Sequence, residues 1–359
     1  MTGSEADRGR ITINDVADHL ALSKGTVSRA LNGYDDIAEA TRLRVVRAAE
    51  RLGYRPLSHA QAIRNGRSRA LGLVIDHGEH DHHRPFIADF LAGISTAASE
   101  ADWTLTVATA ANMQASLNQL RHLNEDRKAD GFIVPRTMIE DPRISYLQSA
   151  QIPYVLYGRS ETPGAHHYYD IRGEDAMADA VSRLAALGHS RIAFVGGGAH
   201  YMYACLRHLG YRDGLARAGI AIDPVLEDSS ALDRTSGARA TAHLLDLDQP
   251  PTAIVFAVDR AALGAWDIAR ERGLRIGTDL SVVGYDGIAE GAYLDPPLAS
   301  YDVNNFEAGK TLASILIRVL RGYSGEPIQE YGQAMFLDRG SVGPCPAGDD
   351  PAGNSYQVR

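Results

Sequence analysis

Lys24, Ser28 and Arg29 lie in a short stretch whose apolar residues Val27, Ala30 and Leu31 recur at helical spacing, so the polar side chains leave the opposite face. A guanidinium can grip a guanine edge with two parallel hydrogen bonds, and an ammonium or hydroxyl can reach a base or a phosphate. Downstream, Arg42 to Arg69 holds eight arginines and a single acid, Glu50, a density suited to phosphate contacts. The loop Asp76-His77-Gly78-Glu79-His80-Asp81-His82-His83 carries transition-metal donors, but its spacing fits no defined zinc motif, and it reads as a cleft-rim or solvated loop. Gly196-Gly197-Gly198 has neither the full G-x-G-x-x-G spacing nor the lysine of a P-loop, and reads as a close strand-to-helix turn. No G-x-S-x-G elbow or H-E-x-x-H pair occurs, so no catalytic group, metal or cofactor is expected.

The elements that must position these groups follow from capping and periodicity. Thr12 and Asp15 form a capping-box-like helix start, followed by Val16, Ala17 and Leu20 at helical spacing. Ala21-Leu22 makes a break, and Ser23 caps a second helix that ends at Asn32-Gly33. A third runs from about Ala38 to Leu52, with Leu43, Val46 and Ala49 expected inward and Arg42, Arg44, Arg47 and Arg51 outward, until Gly53 closes it. This is a helix-turn-helix layout whose second helix would enter a major groove. From Ala70 short apolar runs alternate with amphipathic ones, as in parallel sheets flanked by helices. Strands are expected at Leu71–Ile75, Thr104–Thr109, Gly131–Val134, Tyr154–Tyr157, Arg191–Val195, Ala253–Phe256 and Leu280–Gly284. Helices are expected near Glu174–Leu187, Leu206–Ala218, Ser236–Leu245 and Ala261–Glu271, making two similar lobes with the ligand cleft at their strand ends.

The 359 residues suit about two domains. Residues 1–70 carry twelve Lys and Arg against eight acids, a net +4, whereas the remainder carries 24 against 37, a net −13. The overall charge of −9 therefore hides a basic segment joined to an acidic body. No run approaches the ~18 apolar residues of a membrane span, and the first ten residues lack the apolar core of a secretion signal, so a soluble cytoplasmic protein is expected. Cys205 and Cys345, 140 positions apart, spell out neither a disulfide scaffold nor a zinc ribbon.

Thr12-Ile13-Asn14-Asp15-Val16-Ala17, then Leu22-Ser23-Lys24-Gly25-Thr26-Val27-Ser28-Arg29-Ala30-Leu31-Asn32-Gly33, resembles the lactose-repressor/galactose-repressor family. The resemblance continues through Thr41-Arg42, Ala48 to Pro56 and Ala60-Gln61-Ala62-Ile63-Arg64. It implies DNA contacts at Thr12, Ser23, Lys24, Gly25, Thr26, Ser28, Arg29, Asn32, Tyr54, Ala60, Gln61 and Ile63. Lys24 and Gly25 occupy the positions that choose the operator; since Gly25 has no side chain, discrimination falls on Lys24 and Arg29. The segment from Ser58 to about Asn65 is implied to be a hinge helix whose apolar wedge, here Ile63, enters the minor groove; interdomain packing is the alternative for Ile63. Ala21 replaces a turn glycine, and Ala38 and Leu57 stand at expected polar caps, for which Asp36 and Ser58 are the nearest substitutes.

The resemblance extends to Ala186-Leu187-Gly188-His189, Ile192 to Gly197, Ser281 to Asp286 and Pro296-Pro297-Leu298. It implies a periplasmic-binding-protein-like core in which Arg207 and Asp286 grip effector hydroxyls across a cleft, the alternative being an ion pair that holds loops together. Phe86 is implied as an aromatic rim residue, or else core, and Asn305 faces the pocket. Departures from the family pattern are Val258 for a polar residue, Leu232 for an aromatic wall, and Gly158 before Arg159 where an Asp is usual.

The expected architecture is thus an all-α helix-turn-helix DNA-binding domain at 1–57, a hinge helix and linker at 58–69, and an α/β core of two Rossmann-like lobes at 70–340. Lobe 1 is expected at about 70–169 and 303–325, lobe 2 at about 170–302 and 326–340, with a flexible tail at 341–359 lacking leucine heptads. The function so implied is a dimeric repressor on a pseudo-palindromic operator, controlled by a small carbohydrate, with some resemblance to regulators of α-glucoside or other disaccharide uptake. The alternatives are a purine or other non-sugar co-repressor, or a carbohydrate-binding transport protein. Effector binding and DNA binding would be reciprocally linked, with a sign not set by sequence.

Overall fold

The computed structural model describes residues 11–54, 67–76, 85–162 and 164–346, with the backbone alone at Pro85 and Phe86. The chain divides into two compact units, Met1–Ser68 and Arg69–Arg359.

The first unit contains α1 (Ile13–Leu20), α2 (Lys24–Leu31) and α3 (Glu39–Leu52) around Val16, Ala17, Val27, Ala30, Val45 and Ala49. Thr12 and Asp15 form the reciprocal capping box of α1, and the Ser23 side chain accepts from the Thr26 amide at the head of α2. Ala21, which ends α1, is left-handed at φ 51°, a conformation that penalises a Cβ. Two details of α3 differ from the sequence reading. Its inward stripe is Val45, Ala48 and Ala49, with Leu43 48% exposed, because Val45, not Leu43 or Val46, points into the Val16–Val27 core. Ala38 begins the helix with no side-chain cap, and the Asp36 carboxylate pairs with Arg29 instead.

In the second unit, lobe 1 is built on β1 (Ala70–Asp76), β2 (Thr104–Ala110), β3 (Gly131–Pro135), β4 (Tyr154–Tyr157), β5 (Tyr168–Ile171) and a strand from near the C-terminus, Gln329–Gly332. These six strands form a parallel sheet in which Gln329–Gly332 is the edge beside β5 and β2 is the other edge. Its helices are α4 (Pro85–Glu100), α5 (Met113–Glu125), α6 (Pro142–Ser149) and Asn305–Leu320. Strand alternation fills both faces: Leu71 and Leu73 face Phe90, Ile94 and Leu316, while Val74 and Phe132 face Leu120 and Leu147. Helix α4 meets Asn305–Leu320 at backbone contact, where a Cβ on Gly93 would lie 2.0 Å from the Phe306 carbonyl oxygen.

Lobe 2 has α7 (Gly173–Ala186), β6 (Ile192–Val195), α8 (Met202–Arg217), β7 (Glu227–Asp228), α9 (Arg234–Leu245), β8 (Ala253–Phe256), α10 (Asp259–Arg272) and β9 (Ser281–Val283). Its parallel sheet runs β7-β6-β8-β9. After β10 (Ser300–Asp302) the chain re-enters lobe 1 as α11 (Asn305–Leu320) and β11 (Gln329–Gly332), and β12 (Met335–Leu337) then pairs antiparallel with β10.

Four expected boundaries shift. Residues 329–332 complete the lobe 1 sheet rather than lobe 2, and β5 carries that sheet to Ile171, because both hydrogen-bond along lobe 1 strands. Arg69 belongs to the core, its amide bonded to Asp130 and its carbonyl to Thr104. The first residues of the expected tail are fixed to lobe 2: Ser341 is buried and bonds Ala299 and Val282, and the Gly343 carbonyl accepts from Ser281 and His189. The expected strands of both lobes are present to within about two residues at either end, but β5, β7, β10, β11 and β12 had no sequence signal.

Candidate functional site

Two sites emerge, one in each unit. On the helical unit Lys24, Gly25 and Arg29 are exposed along α2, while Thr26, Ser28 and Asn32 are half-buried beside them. Ser23 and Thr26 pair their hydroxyls at 2.9 Å, and Asn32 donates to Ser28 at 3.2 Å, so this row is locally ordered. Arg29 Nη1 lies 2.8 Å from Asp36, with both side chains about half exposed, an exchangeable tie of the kind worth ~0–1 kcal/mol. Thr12 is exposed but engaged with Asp15, and Tyr54 packs on the three-helix core. Ala60, Gln61 and Ile63 lie outside the described residues, as do the Phe86 side chain and the His77–His83 loop. Among the described residues no cluster of three or more His, Cys, Asp or Glu is placed to hold a metal ion.

The second site is a cavity of about 370 Å³ between the strand ends of the two lobes, within the size range of small-molecule pockets. Six residues expected from sequence line it together: Arg207, Asp286, Leu232, Val258, Asn305 and Gly158. Arg207, on the cleft face of α8, stacks its guanidinium on Tyr285 at 3.7 Å and on Tyr203 at 4.6 Å, and donates to the Ala257 carbonyl at 2.5 Å. Its Nη1 is 3.9 Å from Asp286, while its buried Nε has no hydrogen-bond partner among the described residues. The guanidinium is therefore oriented by rings and one carbonyl, with donor capacity left over.

Asp286 has φ 123°, which L residues rarely adopt. The strain is held from both sides, by the Asp286 amide on Tyr301 O and by the Asp259 amide on Tyr285 O. Burial pushes the Asp286 carboxyl up to about 6, against the pull of Arg207 and Arg136. Behind it Asp259 is fully buried, accepting from Ser300 Oγ at 2.7 and 2.9 Å and from the Ile288 amide at 2.9 Å. Burial, then the charge of Asp286, raises it to about 7.

Gly158 has φ 112°, and a Cβ there would sit 2.9 Å from Thr137 Oγ1, which accounts for glycine where an Asp is usual. Arg159 beside it points into an acidic pair, Asp170 at 2.6 Å and Glu174 at 2.7 Å. Burial opposes its charge, but these partners outweigh burial and keep the guanidinium firmly protonated.

Sequence reasoning missed the tyrosine walls and Arg136. Tyr157 donates to Asn305 at 3.1 Å, and Tyr201 and Tyr203 stack with centroids 5.3 Å apart. Arg136, at the end of β3, lies over Tyr201 at 4.6 Å and donates to the Tyr203 hydroxyl at 3.1 Å. Burial lowers its pKa, but Tyr203, Tyr201 and Asp286 together leave it raised. One signal was legible: Tyr203 and Arg207 are four residues apart in one helix, on the same face. Arg136 had no comparable local signal, since its partners lie some 65 residues away.

Known proteins share both halves. Residues 12–57 match the model for bacterial regulatory proteins of the lacI family, and residues 181–342 match the periplasmic binding protein-like domain. The HTH-type transcriptional regulator AglR of Rhizobium meliloti (strain 1021) is 32% identical over 94% of this chain and 95% of its own length. The HTH-type transcriptional regulator RafR of Escherichia coli is 30% identical over 92% and 98%. Among solved structures, a CelR–cellobiose complex superposes with TM-score 0.72 at 29% identity, over 92% of this chain and 100% of that one. The lac repressor dimer bound to operator and the anti-inducer ONPF superposes with TM-score 0.78 at 25% identity, over 93% and 100%. With a helix-turn-helix reader, a bilobed α/β core and relatives matched along almost their whole length, the chain belongs to the lacI family of bacterial regulatory proteins and is a DNA-binding transcriptional regulator.

Proposed function

We propose that this regulator is a repressor whose operator affinity is set by a small neutral carbohydrate held between the lobes of its core, and that it works in the cytoplasm as a homodimer on a pseudo-palindromic site. The observation that carries the effector reading is the pairing of Arg207, with an unused buried donor, and Asp286, an acceptor, in a cavity walled by Tyr157, Tyr203 and Tyr285. A guanidinium and a carboxylate can each bind vicinal hydroxyls. CelR, solved with cellobiose, and the lac repressor dimer on its operator support the reading. DNA reading is assigned to Lys24 and Arg29, with the 58–68 segment as hinge.

A nucleobase or other non-sugar co-repressor is the second reading, favoured by the stacked Tyr201–Tyr203 face and weakened by the aliphatic Leu232 on the cavity wall. One experiment separates them: a thermal-shift screen of cellobiose, maltose, sucrose, raffinose and nucleosides, followed by operator gel shifts with each binder. Stabilisation by a sugar together with a shift in operator affinity supports the first reading. Stabilisation by nucleosides alone, or binders that leave operator affinity unchanged, overturns it.

A further inference from the structure

Arg207 is the group the effector reading depends on, and the contacts that set its orientation come from two sources. Ala257 and Tyr285 belong to the body of lobe 2. Tyr203 also lies on lobe 2, yet it is gripped from across the cleft: its hydroxyl accepts from Arg136 Nη2 at 3.1 Å and donates to the Gly197 carbonyl at 2.7 Å. The strip around it is tied to the same lobe 1 turn through the backbone, with the Met202 amide on Thr137 O at 2.9 Å and the Ile139 amide on His200 O at 3.0 Å. That turn is itself stiff. Buried Arg143 bonds Asp141 and donates to the carbonyls of Pro135 and Arg136, and Asp141 accepts from the Met138 amide.

We propose that Tyr203 is a positioning residue that converts the closing of the two lobes into the setting of Arg207, with Arg136 as the arm that reaches it from lobe 1. A turn this rigid moves as a body with lobe 1, so rotation of the lobes displaces Arg136 and the two backbone bonds together. The displaced Arg136 releases the Tyr203 hydroxyl, and the ring carries the change one helical turn along α8 to the guanidinium stacked on it. Effector contacts at Arg207 then bias lobe orientation by the same coupling. The effector role of Arg207 rests on the proposed function above, whereas the coupling itself needs no ligand.

The test uses the full chain labelled with [15N]arginine, following the Arg207 Nε–H resonance, assigned by its loss in Arg207→Lys. Amide exchange at Ile139 and Met202 reports the cross-cleft bonds. Arg136→Met and Tyr203→Phe, both conservative in volume, are expected to speed exchange at these two amides at least tenfold and to move the Arg207 resonance. Exchange in β3 and β6 should stay unchanged, which marks an intact fold. Tyr203→Leu should move the resonance further than Tyr203→Phe does, to the position that Ala257 and Tyr285 alone impose. Faster exchange at Ile139 and Met202 with the Arg207 signal unmoved in both conservative variants overturns the proposal, as does no change in either readout. A ligand screen that finds no sugar would sink the effector reading while leaving this result standing.

Discussion

The helical reader and the cleft hold their working groups in opposite ways. On the reader, Lys24 and Arg29 stand in solvent, and the ion pair Arg29 makes with Asp36 is half exposed, so a base edge or phosphate can replace it at small cost. In the cleft, Arg207 is only 12% exposed between two rings, and Asp286 is held on a strained backbone with its carboxyl pushed up to about 6. A surface that must search many DNA sequences keeps its donors loose. On the proposed function, a pocket that discriminates one small molecule fixes them beforehand, accepting strain and displaced titration as the consequence.

Loss of the fixed donor should have the largest effect. Arg207→Ala is expected to weaken effector binding by about 3 kcal/mol, on the order of a hundredfold, because it strands Asp286 and removes several charge-assisted bonds. Operator affinity without effector should persist, and calorimetry beside gel shifts checks both. Arg29→Ala should cost operator binding about 1–3 kcal/mol at matched salt with effector binding intact; unchanged operator affinity would remove α2 from the groove. Ile63→Ala should act in the same direction.

The pH response sharpens the contrast further. Asp259 has a folded value near 7, above the 3.8 of a free carboxyl, so stability is fullest below about pH 4 and is lost as pH rises through 7. For this group, core stability should fall by about 2 kcal/mol between pH 5.5 and 7.5. Urea midpoints across that range should show the slope, and Asp259→Asn should flatten it. The reader offers no comparable buried carboxyl among its described residues. The smallest effect is expected there, from Ala21→Gly, which relieves a left-handed Ala and should stabilise the helical unit by up to ~1 kcal/mol. Amide exchange across α1 and α2 reads it, and faster exchange would contradict the strain.

How much of each site was legible in sequence follows from the range of its interactions. The caps Thr12 and Ser23 and the break at Ala21 are fixed by partners within a few residues, and helical periodicity puts Lys24 and Arg29 on the exposed face. Even so, the α3 stripe slipped from Leu43 and Val46 to Val45 and Ala48, because several apolar residues lie within one turn and only packing against Val16 and Val27 decides among them. Of the cleft, Arg207, Asp286, Leu232, Val258, Asn305 and Gly158, carried by family resemblance, line one cavity, while the Phe86 side chain lies outside the described residues and the tyrosine walls and Arg136 did not declare themselves. Their partners are brought near by crossovers between lobes rather than by helical or strand spacing. Strands β5, β10, β11 and β12 were hidden for a related reason: each is three or four residues long and owes its extended form to a preformed neighbour.

The route of the chain from Asn305 to Cys345 has a consequence for how the molecule is made. α11 and β11 finish lobe 1, while β12 and the Ser341–Cys345 strap finish lobe 2, with Cys345 bonded back to Leu187. During synthesis neither half can therefore mature ahead of the other, because each waits for the same late stretch of polypeptide to leave the ribosome. The two lobes are born as one cooperative body, whereas the small helical unit at the front of the chain has all its core residues in hand from the start.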